Sequence, residues 1–530
     1  MKYIIVTGGV ISGVGKGTIG SSIGMLLGVK NVPVTYVKID PYLNVDAGTI
    51  NPYEHGEVFV LEDGTETDLD LGCYERFLGI NLKNIHNITT GKVYKHVIEK
   101  ERRGGYLGNT VQIIPHITDH IEELITQASK TLIGNCKPEV CIVEVGGTVN
   151  DLETQPFIHA INNLNNNSEN SVAFVHVCYI PHITSTNEFK SKPAQESIKT
   201  LMSLGIKPDI VVCRSHGPYP DEISNKISRA SGIEPSKIIS LPDCDNVYDV
   251  PSILSAQNVE DSILYTLGIF FDASNTSTNI GMTSFIRKYE SIKNKPPIVN
   301  ICIVGKYTKV KDSYISIKKA IEHACINLET PFNISYIDCE NIDWDVIEKC
   351  DAVIIAPGFG ERGLEGKIKI AEYTRTNDIP VLGICFGFQA MVIEYARNVL
   401  LLNHANSQEI SDDKDDVITA GSPLESLGGT MKLGNKGLSI KENTNARKIY
   451  CKEYISERHR HRYNVNGKYT QDLEAAGLVF SGHSDGTPDI LELPDCKFYM
   501  GTQFHPEFKT KPTEPHPLFI ALIQSISARS

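Results

Sequence analysis

Two α/β domains, each built on a mainly parallel sheet, are the fold class this sequence predicts, and three observations predict it. Short β-branched runs recur in the first half of the chain: YIIVTGG, VPVTYVKID, EVCIVEVGG, SVAFVHVCYI and DIVVCRS. Each leads through turn residues into a helix-like stretch, and continuous apolar runs alternating with helices suit parallel strands buried on both faces. The pattern stops near residue 270, at DASNTSTNIGMT and SIKNKPP, and resumes as PIVNICIVGKY, FNISYID, DAVIIAPGFG and IPVLGICFG. The expected organisation is a first domain over 1–271, a linker over 272–297 with one short helix at IRKYESI, and a second domain over 298–530. ISDDKDD (410–416) and NNLNNNSEN (162–170) are expected as polar surface loops.

Composition narrows the function classes. The chain has 530 residues, 41% hydrophobic and 22% charged, with a net charge of −13. A global electrostatic grip on nucleic acid or an anionic membrane is excluded by that sign, so phosphate must be held locally by basic residues and backbone amides. Thirteen cysteines are scattered singly, with no CxxC pair and no zinc spacing; unpaired thiols and a cytoplasmic setting are expected. The apolar run in MKYIIVTGG is too short for a secretory signal, and no run of about 18 apolar residues is present to cross a bilayer.

The first strand runs into TGGVISGVGKGT (7–18). Glycines let the backbone wrap a phosphate, Lys16 can reach terminal phosphates, and the following helix points its positive end at them. Five residues rather than four separate Gly9 from Gly15, and Gly17 follows the lysine where Ser or Thr is usual, so the standard phosphate loop is missed by a little. Asp70 in TETDLDLG and Glu144 in CIVEVGG are candidate magnesium ligands. Glu144 is the stronger case, because a carboxylate inside that apolar strand is costly to bury unless paired or metal-bound. Lys38 ends a strand, and Lys190 and Lys192 stand close together with Gln195 beyond, a cluster suited to phosphate.

In the second domain, LGICFGFQ (382–389) sets Cys385 between glycines after an apolar run. Taken alone the segment leaves two readings, a nucleophile on a sharp turn or a buried apolar cysteine near a strand end. QFHPEF (503–508) adds His505 and Glu507, two residues apart and expected on one face of a strand. A thiol needs a base, and the base an orienting acid. The three together favour the nucleophile, on a strand–turn–helix elbow that aims helix N–H groups at a developing oxyanion.

Over essentially its full length the chain resembles the CTP synthase family. The motifs are GGVISGVGKG, KIDPYLNVDAGT, HGEVFVLEDGTETDLDLG, YERF, TTGKVY, YLGNTVQIIPHIT, EVGGTVNDLE, KSKPAQES, GICFGFQ, GGTMKLG, ERHRHRYNVN and QFHPEF, in family order. The resemblance implies a P-loop-type amidoligase domain joined to a class I glutamine amidotransferase domain. ATP would phosphorylate O4 of UTP, and ammonia from glutamine would displace phosphate to give CTP. Ser12, Gly13, Val14, Gly15, Lys16, Gly17, Arg214 and Asp243 match ATP positions, with Lys16 and Lys38 stabilising the transferred phosphoryl group and Asp70 and Glu144 holding magnesium. Ser12, Asp151, Glu153, Lys190, Lys192, Gln195 and Lys226 match positions for UTP or the feedback inhibitor CTP. Cys385, His505 and Glu507 match the glutaminase triad, and Gly358, Phe386, Gln389, Glu409 and Arg462 match glutamine-holding positions. Activation by GTP and assembly as homotetramers, sometimes filaments, are further implications. Gly13 with Val14 resembles the eukaryotic wording of the loop.

Departures from the family pattern are informative. The family's oxyanion loop reads P-G-G-F-G, and this chain has Ala356-Pro357-Gly358-Phe359-Gly360. Proline has no N–H. Either a donor is lost, or the loop is slipped by one so that Gly358 donates; the slip is the favoured reading. Phe386 and Phe388 replace the usual Leu and Met, and Gly105 stands where many members have Asp. Competing expectations are an ammonia-dependent synthase with an impaired glutaminase, a mainly structural filament-forming homologue, and a cobyrinic-acid-type amidoligase. Retained Cys385, His505, Glu507, Glu409 and Arg462 argue against the first and Pro357 for it, intact Lys16, Lys38, Asp70 and Glu144 argue against the second, and KSKPAQ and TETDLDLG against the third.

Overall fold

A computed structural model describes residues 1–270, 280–410, 415–420 and 431–527. Most of the acidic stretch at 410–416 and the first part of the expected linker, up to 279, lie outside the described residues. The chain divides into two units, residues 1–47 with 70–283 and residues 48–69 with 284–530. The segment 48–69, which sequence pattern groups with the first domain, therefore clusters with the second unit.

The first unit carries a seven-stranded sheet, ordered Ile238–Pro242, Ile210–Ser215, Ser171–Ile180, Lys2–Gly8, Val140–Val145, Val34–Asp40 and Asn87–Thr89. Every pairing in it is parallel. The interior strands are continuous apolar runs because helices cover both faces. The chain leaves Lys2–Gly8 at the carboxyl end of the sheet, where open parallel sheets hold ligands. The helix Lys16–Val29 packs tightly there because Gly20 and Gly24 share a face: an added Cβ would stand 2.1 Å from the Tyr36 hydroxyl at the first and 2.5 Å from Leu78 at the second. The helix Gln155–Asn166 runs into the stretch expected as a polar loop at 162–170. Leu164 is buried there and anchors that last turn, so one apolar residue outweighs the surrounding asparagines.

The second unit carries a nine-stranded sheet, ordered Phe332–Asp338, Val299–Gly305, Ala352–Ile355, Val381–Ile384, Tyr499–Thr502, Thr487–Glu492, Val479–Ser484, Lys432–Ile440 and Tyr454–His461. The first five strands are parallel and the rest antiparallel. A two-stranded hairpin, Val58–Val60 with Glu66–Asp68, belongs to this unit. It is tied in by Arg458, whose Nη1 donates to the Val60 carbonyl at 3.0 Å, and by Arg460, whose Nε donates to Glu66 at 2.8 Å. The expectation that all cysteines are unpaired is corrected in one place: Cys302 is joined to Cys350, their Cα atoms 6.1 Å apart. Neighbouring parallel strands bring these two together across 48 residues of sequence, a proximity that spacing alone hides.

Candidate active site

In the first unit the segment after Lys2–Gly8 curls through positive φ at Ile11, Gly13 and Gly15 before the helix begins at Lys16. Ser12 and Gly13 are exposed at its rim while Val14 and Gly17 are buried. Lys16 is buried and folds back over Gly8, where an added Cβ would meet its side chain at 2.8 Å; its Nζ donates to the Gly147 carbonyl at 2.6 Å. Burial lowers its pKa, opposed mainly by Glu144. Lys38, also buried, contacts Asp70, stands 3.1 Å from Asp40 and lies 3.9 Å from Glu144. Glu144 accepts from the hydroxyls of Tyr74 and, at 3.2 Å, Tyr36, and burial raises its pKa.

The missing hydroxyl at Gly17 now has a physical reason. A Cβ there would lie 3.1 Å from Asp70 Oδ1 and 3.3 Å from Glu144 Oε2. Two carboxylates fill the space that a Ser or Thr occupies in the usual loop. A pair of carboxylates, Glu144 buried and Asp70 partly exposed, beside a phosphate loop and two lysines fits a magnesium ion, which favours one or two acids plus phosphate oxygens. The tightest group of possible metal ligands among the described residues is elsewhere, at His459, His461 and Asp489. There His461 Nδ1 bonds the Tyr463 carbonyl at 3.1 Å and His459 Nδ1 bonds His461 Nε2 at 2.9 Å, so the two rings are engaged with each other.

Arg214 joins two of the expected ATP positions. Its Nε donates to Asp243 at 2.7 Å and its Nη1 to the Gly13 carbonyl at 3.1 Å. Val14, Gly15, Arg214 and Asp243 line one cavity with Leu241, Val247 and Val250, whose apolar walls suit a flat base. Asp151 is fixed by the Thr148 N–H at 2.6 Å, one turn from the carbonyl that holds Lys16, and Glu153 is exposed beside it. Lys190 pairs with Glu188, whose pKa is lowered chiefly by Lys190 and also by Lys226. Lys192 opens the helix Lys192–Ser203 and pairs with Glu196 at 2.8 Å, and Gln195 Nε2 donates to the Ser191 hydroxyl at 3.0 Å.

In the second unit the octapeptide around Cys385 is an elbow. The strand Val381–Ile384 ends, Cys385 takes φ +52° and ψ −100°, and the helix Phe386–Asn398 begins. The flanking glycines are required by the packing: a Cβ at Gly387 would sit 2.1 Å from the Ile355 carbonyl, and one at Gly383 would sit 2.3 Å from the Met391 sulfur. Cys385 is buried, with Sγ 3.6 Å from the Arg460 carbonyl and 3.8 Å from Gln503 Nε2. His505 Nδ1 and Glu507 Oε1 are 2.7 Å apart, and Phe508 stacks on the imidazole at 4.8 Å. Burial pulls the His505 pKa down, but Glu507 and Cys385 outweigh it and lift it to about 10. The expected strand carrying His505 and Glu507 is corrected: Pro506 starts a short 3-10 turn, Pro506–Phe508, and that turn brings the two side chains together.

Around this group Glu409 accepts from the Gly360 N–H at 2.6 Å, and burial raises its pKa. Gln389 Nε2 donates to the Tyr463 carbonyl and to Gln503 Oε1, both at 3.2 Å, while its Oε1 is buried without a hydrogen-bond partner among the described residues. Arg462 is half-buried and electrostatically coupled to Glu409. Phe386 opens the helix that follows Cys385, with its side chain buried in the core beneath Lys367 and Lys306. Pro357, Gly358, Phe359, His505 and Glu507 line one cavity with Arg460. Sequence reasoning passed over Lys306, Lys367, Arg460 and Gln503; the one available signal was a lysine inside the apolar helical face of LEGKIKIAEY.

Comparison with known proteins finds two family descriptions along the chain. The family description "CTP synthase N-terminus" matches residues 2–269, and "Glutamine amidotransferase class-I" matches 309–525. A CTP synthase of Saccharolobus solfataricus is 48% identical across 99% of both chains. One from Methanopyrus kandleri is 45% identical across 100% of this chain and 99% of its own.

The chain belongs to the CTP synthase family.

A CTP synthase of Hydrogenobaculum is 45% identical across 99% of this chain and 97% of its own. Among solved structures, the acivicin-bound glutaminase domain of the Trypanosoma brucei CTP synthase is 34% identical, with a TM-score of 0.42, covering 44% of this chain and 95% of that one. Membership in the CTP synthase family accounts for both halves of the fold, an amidoligase on the all-parallel sheet and a class I amidotransferase on the mixed one. No helix among the described residues is long and apolar enough to cross a membrane.

Proposed function

We propose the following division of labour for the CTP synthase reaction in this chain, in which ATP, UTP, glutamine and water give ADP, phosphate, CTP and glutamate. The observation that carries it is the pairing, in one polypeptide, of a lysine-lined phosphate loop with a thiol elbow facing a His–Glu pair. Ser12 to Gly17 cradle the ATP phosphates, and Arg214 with Asp243 borders the base. Lys16 and Lys38 spread the charge of the phosphoryl group moving to O4 of UTP. Asp70 and Glu144 would hold magnesium, which supplies charge neutralisation at the phosphates when bound. Lys190, Lys192, Gln195 and Lys226 grip a pyrimidine triphosphate, and Asp151 and Glu153 meet the cytidine of the feedback inhibitor.

The glutaminase half follows from the geometry. His505, its pKa lifted to about 10 by Glu507 and Cys385 against the pull of burial, takes the Cys385 proton. The thiolate attacks the glutamine amide carbon, His505 gives its proton to the departing ammonia, and water then cleaves the thioester to glutamate. Glu507 holds the imidazole, while Gln389, Glu409 and Arg462 hold the glutamine. GTP as activator, a homotetrameric or filamentous assembly, a cytoplasmic setting and a eukaryotic-like subtype are part of the same proposal. The subtype rests on Gly13 and Val14 alone, and the setting on eleven free cysteines.

The deciding experiment is CTP formation from UTP, ATP and magnesium, with glutamine plus GTP and separately with ammonium. Comparable rates support the whole proposal. Activity with ammonium alone means a failed glutaminase, and none with either, in folded protein, removes the synthase assignment for this chain.

A further inference from the structure

The loop Ala356–Gly360 is held from beneath by two buried lysines. Lys367, on the helix Leu364–Thr376, is fully buried. Its ammonium donates to the Ala356 carbonyl and, at 3.3 Å, to the Pro357 carbonyl. Lys306 donates to the Phe359 carbonyl, and Glu409 accepts from the Gly360 N–H. The Pro357–Gly358 peptide is trans. In a planar trans peptide the C=O and the N–H point in opposite directions. A Pro357 carbonyl aimed down at Lys367 therefore turns the Gly358 N–H away from the buried side. That N–H has no hydrogen-bond partner among the described residues, and Gly358 lines the same cavity as His505. Pro357 itself brings no N–H, so the orientation of this one peptide decides whether the loop offers a donor.

We infer that Lys367 is a positioning residue for glutamine hydrolysis, fixing the Pro357–Gly358 peptide so that the Gly358 N–H receives the oxyanion formed when Cys385 attacks the amide. The inference rests on the glutaminase reading above. Lys367 touches no reacting atom; it acts through two carbonyls. Its charge also matters, because burial and Lys306 depress its pKa to about 8 while Cys339 and Cys385 oppose the shift. Those three groups are the titratable neighbours facing it. Loss of the ammonium proton weakens the hold on the two carbonyls and removes a positive charge from under the oxyanion.

The test is Lys367→Met, assayed in the full chain for hydrolysis of L-glutamine, for CTP formation with ammonium at fixed pH, and for alkylation of Cys385 by iodoacetamide. The expected result is a kcat for glutamine lower by about 10²-fold, as when an oxyanion donor is lost, with KM within about threefold. Ammonium-supported synthesis and the alkylation rate stay unchanged, since neither uses an oxyanion donor. Hydrolysis within about threefold of the unsubstituted chain overturns the inference. So does joint loss of hydrolysis and alkylation, which makes Lys367 a support of the elbow as a whole. If the variant does not fold, the pH profile of the unsubstituted chain decides. A fall in kcat above about pH 8 with alkylation undiminished supports the inference, and a profile flat to pH 10 overturns it. No glutamine hydrolysis by the unsubstituted chain overturns the glutaminase reading and this inference with it.

Discussion

His505 Nδ1 and Glu507 Oε1 lie 2.7 Å apart with both side chains buried, and no third side chain among the described residues competes for that nitrogen in the hydrogen-bond pattern. The carboxylate orients the imidazole and favours its protonated form. Glu507→Gln is expected to lower glutamine-dependent CTP formation by about 10²–10⁴-fold, the range of a lost acid–base partner, and to leave ammonium-dependent formation intact. A loss of both activities in a protein of unchanged melting temperature would contradict the assigned role.

The same pair makes a pH signature. The folded-state pKa of His505, about 10, lies above the free value of 6.5. The folded state then binds more protons, so this stabilisation is complete below about 6.5 and is lost as pH rises towards 10. Calorimetry of the second unit's transition across that window reads it directly. Glu507→Gln should flatten the dependence, and an equally steep curve in the variant would assign the slope to another group.

Pro357 is expected to be tolerated because Gly358 carries the donor. Pro357→Gly should leave the kcat for glutamine within about threefold. An increase of about tenfold or more would mean that the natural loop lacks a donor that glycine restores.

Lys38 sits among Asp40, Asp70 and Glu144 in the first unit. Lys38→Met should reduce CTP formation by about 10²-fold or more with either nitrogen source, by analogy with loss of one preorganised electrostatic group. Glutamine hydrolysis should persist when measured as glutamate release. Preferential loss of the glutamine-driven rate would misplace Lys38.

At the elbow, Gly387→Ala forces a Cβ to 2.1 Å from the Ile355 carbonyl, against backbone that cannot swing aside. A destabilisation of about 3 kcal/mol or more is expected, at the top of the overpacking range. Gly437→Ala is the control, since a Cβ there meets nothing within 4 Å. Equal melting shifts in the two variants would remove the packing argument.

Much of this was legible in the sequence because periodicity and spacing are local. The β-branched runs became the parallel strands, and GICFGFQ became an elbow because Gly383 and Gly387 admit no side chain. Long-range partnerships were not legible. Nothing in LEGKIK announces that Lys367 reaches two carbonyls ten and eleven residues earlier, and nothing in QFHPEF says that Pro506 replaces a strand by a turn. The mixed second sheet was hidden for a related reason: its four antiparallel strands follow the elbow in sequence yet pair outward from Tyr499–Thr502, the last strand of the chain.

The hairpin Val58–Asp68 bears on how the gene can be divided. A polypeptide cut in the linker and begun at residue 298 would carry the whole thiol elbow but would omit Val60 and Glu66, which accept from Arg458 and Arg460. The carbonyls of those same two arginines meet the His505 N–H at 2.8 Å and the Cys385 sulfur at 3.6 Å. An isolated C-terminal half therefore inherits every catalytic side chain of the glutaminase without the brace on the strand beneath it.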